Sequence, residues 1–169
     1  MPTRNFRYLH VKKTLLKFLD FYIKSSIHVA LSVVSLASIS LSLSQYELSI
    51  SMLIFIFCIA LFAYNFIKFF PIIREITNHD FPYIIFLLSL LCLLLSLYLF
   101  IQLTFLSKIV VVTGGILVLL YTLPMNKSLN NLRNTKGWKV YLVVLTWILI
   151  TVCLPLLSTT IFDIRLFIQ

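Results

Sequence analysis

Five polar side chains near the ends of apolar stretches could together bind an anion. Asn65 and Lys68 lie at the end of one apolar run, Tyr121 and Lys127 lie at the end of another, and Arg133 follows shortly after. Amide, hydroxyl and cationic groups donate hydrogen bonds, and the cations also balance negative charge, which suits a phosphate or a diphosphate. Since Asn65 and Lys68 are three residues apart, a helix would bring them onto part of the same surface. We call these five residues the basic mouth.

Each residue of the basic mouth also has an ordinary structural explanation. Lys and Tyr side chains at the ends of membrane helices extend their polar tips toward lipid headgroups. An Asn such as Asn65 can instead bond a neighbouring helix. The sequence leaves the anion site and these structural roles as alternatives.

The composition is that of a protein embedded in lipid. Of the 169 residues, 61% are hydrophobic and 11% are charged, against about 45–50% and about 25% in an ordinary soluble domain. No linker divides the chain, so we predict a single membrane domain over residues 1–169. The net charge of +9 comes from segments that flank the apolar runs. Anionic lipid headgroups are therefore the expected partners, and nucleic acid is not.

The apolar stretches predict an all-α integral membrane protein with about five transmembrane helices. A basic amphipathic helix over 4–24 precedes them and would lie in the headgroup region. The five predicted spans are about 25–43, 50–70, 83–103, 109–123 and 140–157. Alternating serines near the end of the first span would also suit a strand, but a lone strand in lipid leaves its backbone unpaired. Residues 158–169 are either an interfacial tail or a truncated sixth span.

The distribution of basic residues predicts the orientation. With a cytoplasmic N-terminus, the inner segments hold twelve Lys and Arg residues and the outer segments hold two. Cytoplasmic loops of membrane proteins carry such an excess. We therefore predict a bacterial inner-membrane protein whose N-terminus is cytoplasmic and whose C-terminus, after five spans, is outside.

Acidic residues are scarce, which limits the chemistry available to the chain. The five are Asp20, Glu47, Glu75, Asp80 and Asp163. Magnesium-assisted diphosphate chemistry requires clustered carboxylates, and these positions form no such cluster. Phosphate-binding glycine loops and a nucleophile elbow are also missing. The three cysteines have no metal-ligand spacing, so the sequence assigns neither a metal site nor a catalytic residue.

Several stretches resemble an atypical bacterial branch of the UbiA-type intramembrane prenyltransferase superfamily. They are Phe21–Leu31, Ala63–Lys68, Tyr121–Pro124 and Asn131–Lys139, with further similarity at Tyr141 and around Pro155. The resemblance implies a helical bundle around a lipid cavity, of which this chain would form the first half. It also implies transfer of a prenyl group from an isoprenoid diphosphate, with magnesium held by two aspartate-rich motifs.

Few of the family's motif residues are present. By the resemblance, Asn65 matches the Asn that opens the first aspartate-rich motif, but apolar residues such as Phe66 and Phe69 replace its aspartates. Tyr121 and Lys127 match a segment that contacts diphosphate in the family. The second motif would fall beyond the last residue of the chain. Magnesium is thus expected for the family, whereas its ligands are not found here, and we leave the cofactor open.

Three interpretations follow from the sequence. In the first, a prenyltransferase-like protein binds an isoprenoid diphosphate or a related lipid at the basic mouth, with little or no turnover. In the second, the chain is a non-enzymatic helper subunit of another membrane protein or a lipid-binding scaffold. In the third, it is a fragment of a longer prenyltransferase.

Overall fold

The described elements of the chain are all helices. A computed structural model describes residues 3–47, 49–74, 83–123 and 138–158, and every regular element within them is helical, as predicted. The helices are α1 (Thr3–Lys24), α2 (Ile27–Leu43), α3 (Ile50–Arg74), α4 (Tyr83–Gln102), α5 (Phe105–Thr122) and α6 (Trp138–Ile148). After α6 the chain forms a π-helical turn, Leu149–Cys153, and continues as α-helix over 154–158.

Four helical segments are long and apolar enough to cross a membrane. They are Ile50–Phe69, Tyr83–Gln102, Phe105–Thr122 and Val140–Ser158. A fifth span results if the end of α1, Lys13–Lys24, and α2 form one broken span with a bend of 59°. Helix α2 alone has 17 residues, which is near the lower limit of about 17–25 residues for a span. The described part of the chain thus contains four or five helices able to span a membrane.

Helix α3 is the centre of the bundle. Within its span 39% of residues are buried inside the protein, against 22% in each of the other three spans. One face of α2 packs on α3 through the buried residues Ala30, Val33, Ala37 and Leu41. Helix α4 packs on α3 through Ile85, Ser89, Cys92 and Ser96. These faces are rich in small residues, which let helices approach closely in a membrane.

The serine-rich segment of α2 is an ordinary helix. The hydroxyls of Ser32, Ser35, Ser38, Ser40 and Ser44 each donate to the carbonyl four residues earlier, at 2.9–3.0 Å. Each donor is thereby satisfied within its own helix, and no strand pairing is needed in an apolar solvent. The prediction of a helix in preference to a strand is confirmed here.

Two local features set the ends and the shape of the last helices. Helix α5 begins at Phe105, before the predicted start of that span at 109, because the Thr104 side chain caps it by accepting from the Ser107 backbone N–H at 3.3 Å. In the π-helical turn, the Leu154 N–H bonds to the Leu149 carbonyl. Pro155 follows and has no backbone N–H to donate to a carbonyl of the preceding turn. The π-helical turn therefore lies where the regular pattern of α-helical hydrogen bonds is interrupted.

We expect Cys58 and Cys92 to be joined within one chain by a short, membrane-permeant reagent that reacts with two thiols. Both side chains are buried, at 3% and 4% exposed, and they interact with each other where α4 packs on α3. Intact mass measured on the full chain would show a single reagent bridging two thiols. The variant Cys58→Ser should lose this bridge, and the control Cys153→Ser should keep it. Attachment of the reagent by one end only would contradict this packing of α4.

Candidate functional site

A cavity of about 210 Å³ opens between α2, α3, α5 and the last span. Most of its walls are aliphatic, and they include Val33, Ala60, Val118 and Ile150. It lies toward what we call the basic end of the bundle, the end at which Lys24, Lys68, Tyr121 and Trp138 lie. We name it the tyrosine cavity because Tyr64 and Tyr121 both line it.

The polar groups of the tyrosine cavity differ in how free they are to bind a ligand. The hydroxyl of Thr146 donates to the Leu142 carbonyl at 2.7 Å, and that of Thr151 donates to the Trp147 carbonyl at 2.8 Å. Both donors are therefore used within their own helix. Tyr64, in contrast, lines the cavity together with Tyr121 and Trp147. Two phenol groups and an indole thus lie in a wall whose two threonine hydroxyls are already bonded.

Asn65 lies outside this cavity, although it belongs to the predicted basic mouth. Its side chain is 2% exposed and faces α4, where the Asn65 Nδ2 donates to the Ser89 hydroxyl at 2.7 Å. Ser89 in turn donates to the Ile85 carbonyl at 2.8 Å. The Asn65 Oδ1 is buried and accepts no hydrogen bond from any of the described residues. Asn65 thus bonds a neighbouring helix, which is the structural role that the sequence left open for it.

Lys68 lies at the basic end and joins α3 to the end of α1. Its Nζ donates to the Lys24 carbonyl at 2.9 Å and lies 5.6 Å from the centre of the Phe69 ring. The last carbonyls of an α-helix have no N–H partner within the helix, and the Lys24 carbonyl is one of them. The Lys68 ammonium therefore caps the C-terminus of α1. The side chain is exposed. Since an ammonium has three donors, Lys68 keeps donors for another acceptor.

Lys68 anchors a bent connection between α1 and α2. Ser26 has a left-handed backbone, with φ of 61°, and Ser25 is fully buried. The centre of the His28 ring lies 5.7 Å from that of Tyr22. Its buried Nδ1 has no hydrogen-bond partner within the described part of the chain. The connection is thus made of polar residues that turn the chain by 59° between the two helices.

The structure brings only part of the basic mouth together. Tyr121 lines the tyrosine cavity, Lys68 lies at the same end of the bundle, and Asn65 is turned toward α4. Lys127 and Arg133 lie outside the described residues. Tyr64 and Trp147 were not among the predicted site residues. Consecutive helical positions are rotated by about 100°, which places Tyr64 in the cavity when Asn65 faces α4.

The described carboxylates do not fit a magnesium ion at this site. Asp20 pairs with Lys24 at 2.8 Å on the exposed surface, and Glu47 lies past the other end of α2. No group of three or more potential metal-ligating side chains is present in the described ranges. The walls of the tyrosine cavity offer hydroxyl and indole groups, which are poor ligands for magnesium.

A second cavity, of about 270 Å³, lies beside α5. It is lined by Gly114 and Gly115 together with aliphatic and Phe side chains, and we call it the glycine cavity. Ala63, Val118 and Ile150 line both cavities. The two spaces therefore adjoin along α5, and only the tyrosine cavity has polar side chains in its wall.

We expect the stability effects of Asn65→Ala and Ser89→Ala to be coupled, because each removes one partner of the same buried hydrogen bond. Such bonds contribute about 0.6 kcal/mol on average and up to about 1.7 kcal/mol in a membrane protein. The free energy of unfolding, measured in mixed micelles for the single and double variants, gives this coupling. Ser96→Ala is the control, since the Ser96 hydroxyl bonds to the Leu93 carbonyl of its own helix. If the losses in the free energy of unfolding caused by Asn65→Ala and Ser89→Ala were additive, the hydrogen bond between these two side chains would be contradicted.

Comparison of the chain with models of known protein families, with curated proteins and with solved structures gives no match. The resemblance to the prenyltransferases therefore stays a prediction from the sequence.

Proposed function

We propose that this protein is a prenyltransferase-like membrane protein that binds an isoprenoid diphosphate at the tyrosine cavity. The apolar tail enters the cavity and the diphosphate lies at the basic end. The chain alone holds this lipid without transferring its prenyl group. The observation that carries the proposal is that Tyr64, Tyr121 and Trp147 line one cavity whose walls are mostly aliphatic.

The walls of the cavity suit an isoprenoid tail. Ligand sites are concave and mostly apolar, with a few polar groups that fix orientation. Aliphatic side chains from four helical segments supply the apolar surface here. An isoprenoid chain is purely apolar, so it loses no hydrogen bonds when it enters such a space.

The headgroup would be held by hydroxyl and cationic donors. The Tyr64 and Tyr121 hydroxyls can donate to diphosphate oxygens, and Lys68 can add a charge-assisted bond while still capping α1. By sequence, Lys127 and Arg133 follow α5 and are available for the same anion. Asn65 is left out of this contact because its amide already binds Ser89.

The basic end would face the cytoplasm of a bacterial cell. Lys24 and Lys68 lie there together with Lys13 and Lys17 of the preceding helix, whereas Lys108 lies near the start of α5 at the opposite end. The positive-inside rule then places the N-terminus inside. Five spans, counting the bent α1–α2 pair as one, would place residue 158 on the outer side.

Transfer of the prenyl group would need a metal ion, and the described residues offer no group of ligands for one. Ionisation of a diphosphate ester develops negative charge on the leaving group, which a metal ion ordinarily balances. The lining residues include no carboxylate to hold one. The described donors therefore support binding of the headgroup, and we assign them no step of prenyl transfer.

Replacing both cavity tyrosines by Phe tests this proposal. We expect Tyr64→Phe/Tyr121→Phe to raise the Kd for farnesyl diphosphate at least roughly tenfold, because each hydroxyl bonded to a charged oxygen contributes about 1.5–3 kcal/mol. The measurement is equilibrium binding to the full chain in nanodiscs. Tyr98→Phe is the matched control, since Tyr98 is 63% exposed on α4 and does not line the cavity. An unchanged Kd in the folded double variant would overturn the proposed site.

The contribution of Lys68 is tested separately. We expect Lys68→Ala to raise the Kd for farnesyl diphosphate roughly three- to fivefold, the effect of an exposed ion pair of about 1 kcal/mol or less, and the difference should shrink at high salt. Adding Arg133→Ala should raise the Kd further. Membrane insertion, measured by fractionation, should be unchanged in both variants. Lys108→Ala, at the opposite end, is the control and should bind as the parent protein does.

One observation favours a second function, a non-enzymatic scaffold or helper subunit that binds another membrane protein. Asn65 and Lys68, which resemble site residues, are both engaged in contacts between helices. In a scaffold, the polar groups would only hold the bundle together. Failure of the parent protein to bind farnesyl diphosphate at all would favour this function over the first.

A further inference from the structure

The two glycines of α5, of which Gly114 is buried, lie beside open space among the described helices. A glycine in a membrane helix usually lets a neighbouring backbone approach closely. At both Gly114 and Gly115, however, a Cβ added to the backbone would meet no atom within 4 Å. Glycine also weakens a helix relative to alanine or leucine. The space beside these residues therefore needs another explanation.

That space is the glycine cavity, and its chemistry is purely apolar. The side chains around it are aliphatic or aromatic without a polar atom, and they include Phe62, Phe66 and Leu119. A cavity without polar groups does not hold ordered water, and apolar guests enter it. An apolar chain is the guest that matches such walls.

The position of the cavity indicates which apolar chain would occupy it. The glycine cavity and the tyrosine cavity share Ala63, Val118 and Ile150. From Tyr121 at the basic end to Val110 in the glycine cavity, α5 rises by roughly 16 Å. A tail whose headgroup lies at Tyr121 would thus reach the glycines if it continues along α5.

We propose that Gly114 and Gly115 accommodate the far end of the isoprenoid tail and thereby set the longest tail that the protein binds. This inference rests on the proposed function, since it assumes that the headgroup lies beside Tyr64 and Tyr121. Short tails fill the tyrosine cavity only. Longer tails extend into the glycine cavity and depend on the absence of side chains at 114 and 115.

The test compares tail lengths in one variant. Gly114→Leu places an apolar side chain in the glycine cavity and raises helix propensity. We expect its Kd for geranylgeranyl diphosphate to rise at least tenfold, while its Kd for geranyl diphosphate stays within about twofold of the parent value. Gly114→Ala should give a smaller loss for the long tail. Gly115→Leu provides an independent variant at the neighbouring position if Gly114→Leu folds poorly. Val112→Leu is the matched control, because Val112 is 52% exposed on α5 and lines neither cavity.

The outcomes separate this inference from the proposed function. If the parent protein binds both diphosphates and the glycine variants weaken neither or weaken both equally, the tail-length role is overturned and the proposed function stands. If the parent protein binds no isoprenoid diphosphate of either length, both are overturned. Loss of the long tail alone, in Gly114→Leu or Gly115→Leu, supports the inference.

Discussion

The structure depends on one constraint: in the hydrocarbon of a bilayer no water is present to pair a polar group. Backbone groups are therefore paired within helices, and the hydroxyls of α2 donate to carbonyls of their own helix. The same constraint explains why Asn65 bonds to Ser89 and why Lys68 caps α1. What is left over after this pairing, mainly Tyr64, Tyr121 and Trp147 in a cavity wall, is the part of the polar inventory that a ligand could use.

The position of α3 makes that division of polar groups possible. It packs against α2 and α4 through faces of small residues, and it contacts α5 more loosely, across two apolar cavities. One face of α3 thus holds the bundle together and another face borders open space. Asn65 and Tyr64 are adjacent in sequence, yet the helix places the first on the packed side and the second on the open side. Stability and binding can then be changed independently at neighbouring positions.

The sequence predicted the all-helical membrane fold because apolar length and the cost of unpaired backbone leave few alternatives. It could not predict which way each polar residue faces, since that depends on where the neighbouring helices lie. Asn65 resembled a ligand-binding residue and bonds to Ser89, whereas Tyr64 lines the cavity and was not assigned to the site. The Thr104 cap and the π-helical turn before Pro155 are local features that were detectable as Thr-x-x-Ser and as a proline within a span. The open space beside Gly114 appears only when the helices are assembled.

The central claim is that an isoprenoid diphosphate occupies the cavities beside α5. It is tested most directly by photolabelling the full chain in nanodiscs with a farnesyl diphosphate analogue that carries a photoreactive group on its tail. We predict labelling of Ala63, Val118 or Ile150, which line both cavities, and loss of the label with excess farnesyl diphosphate. Labelling spread over the lipid-facing side chains of α4 and unaffected by competitor would contradict it.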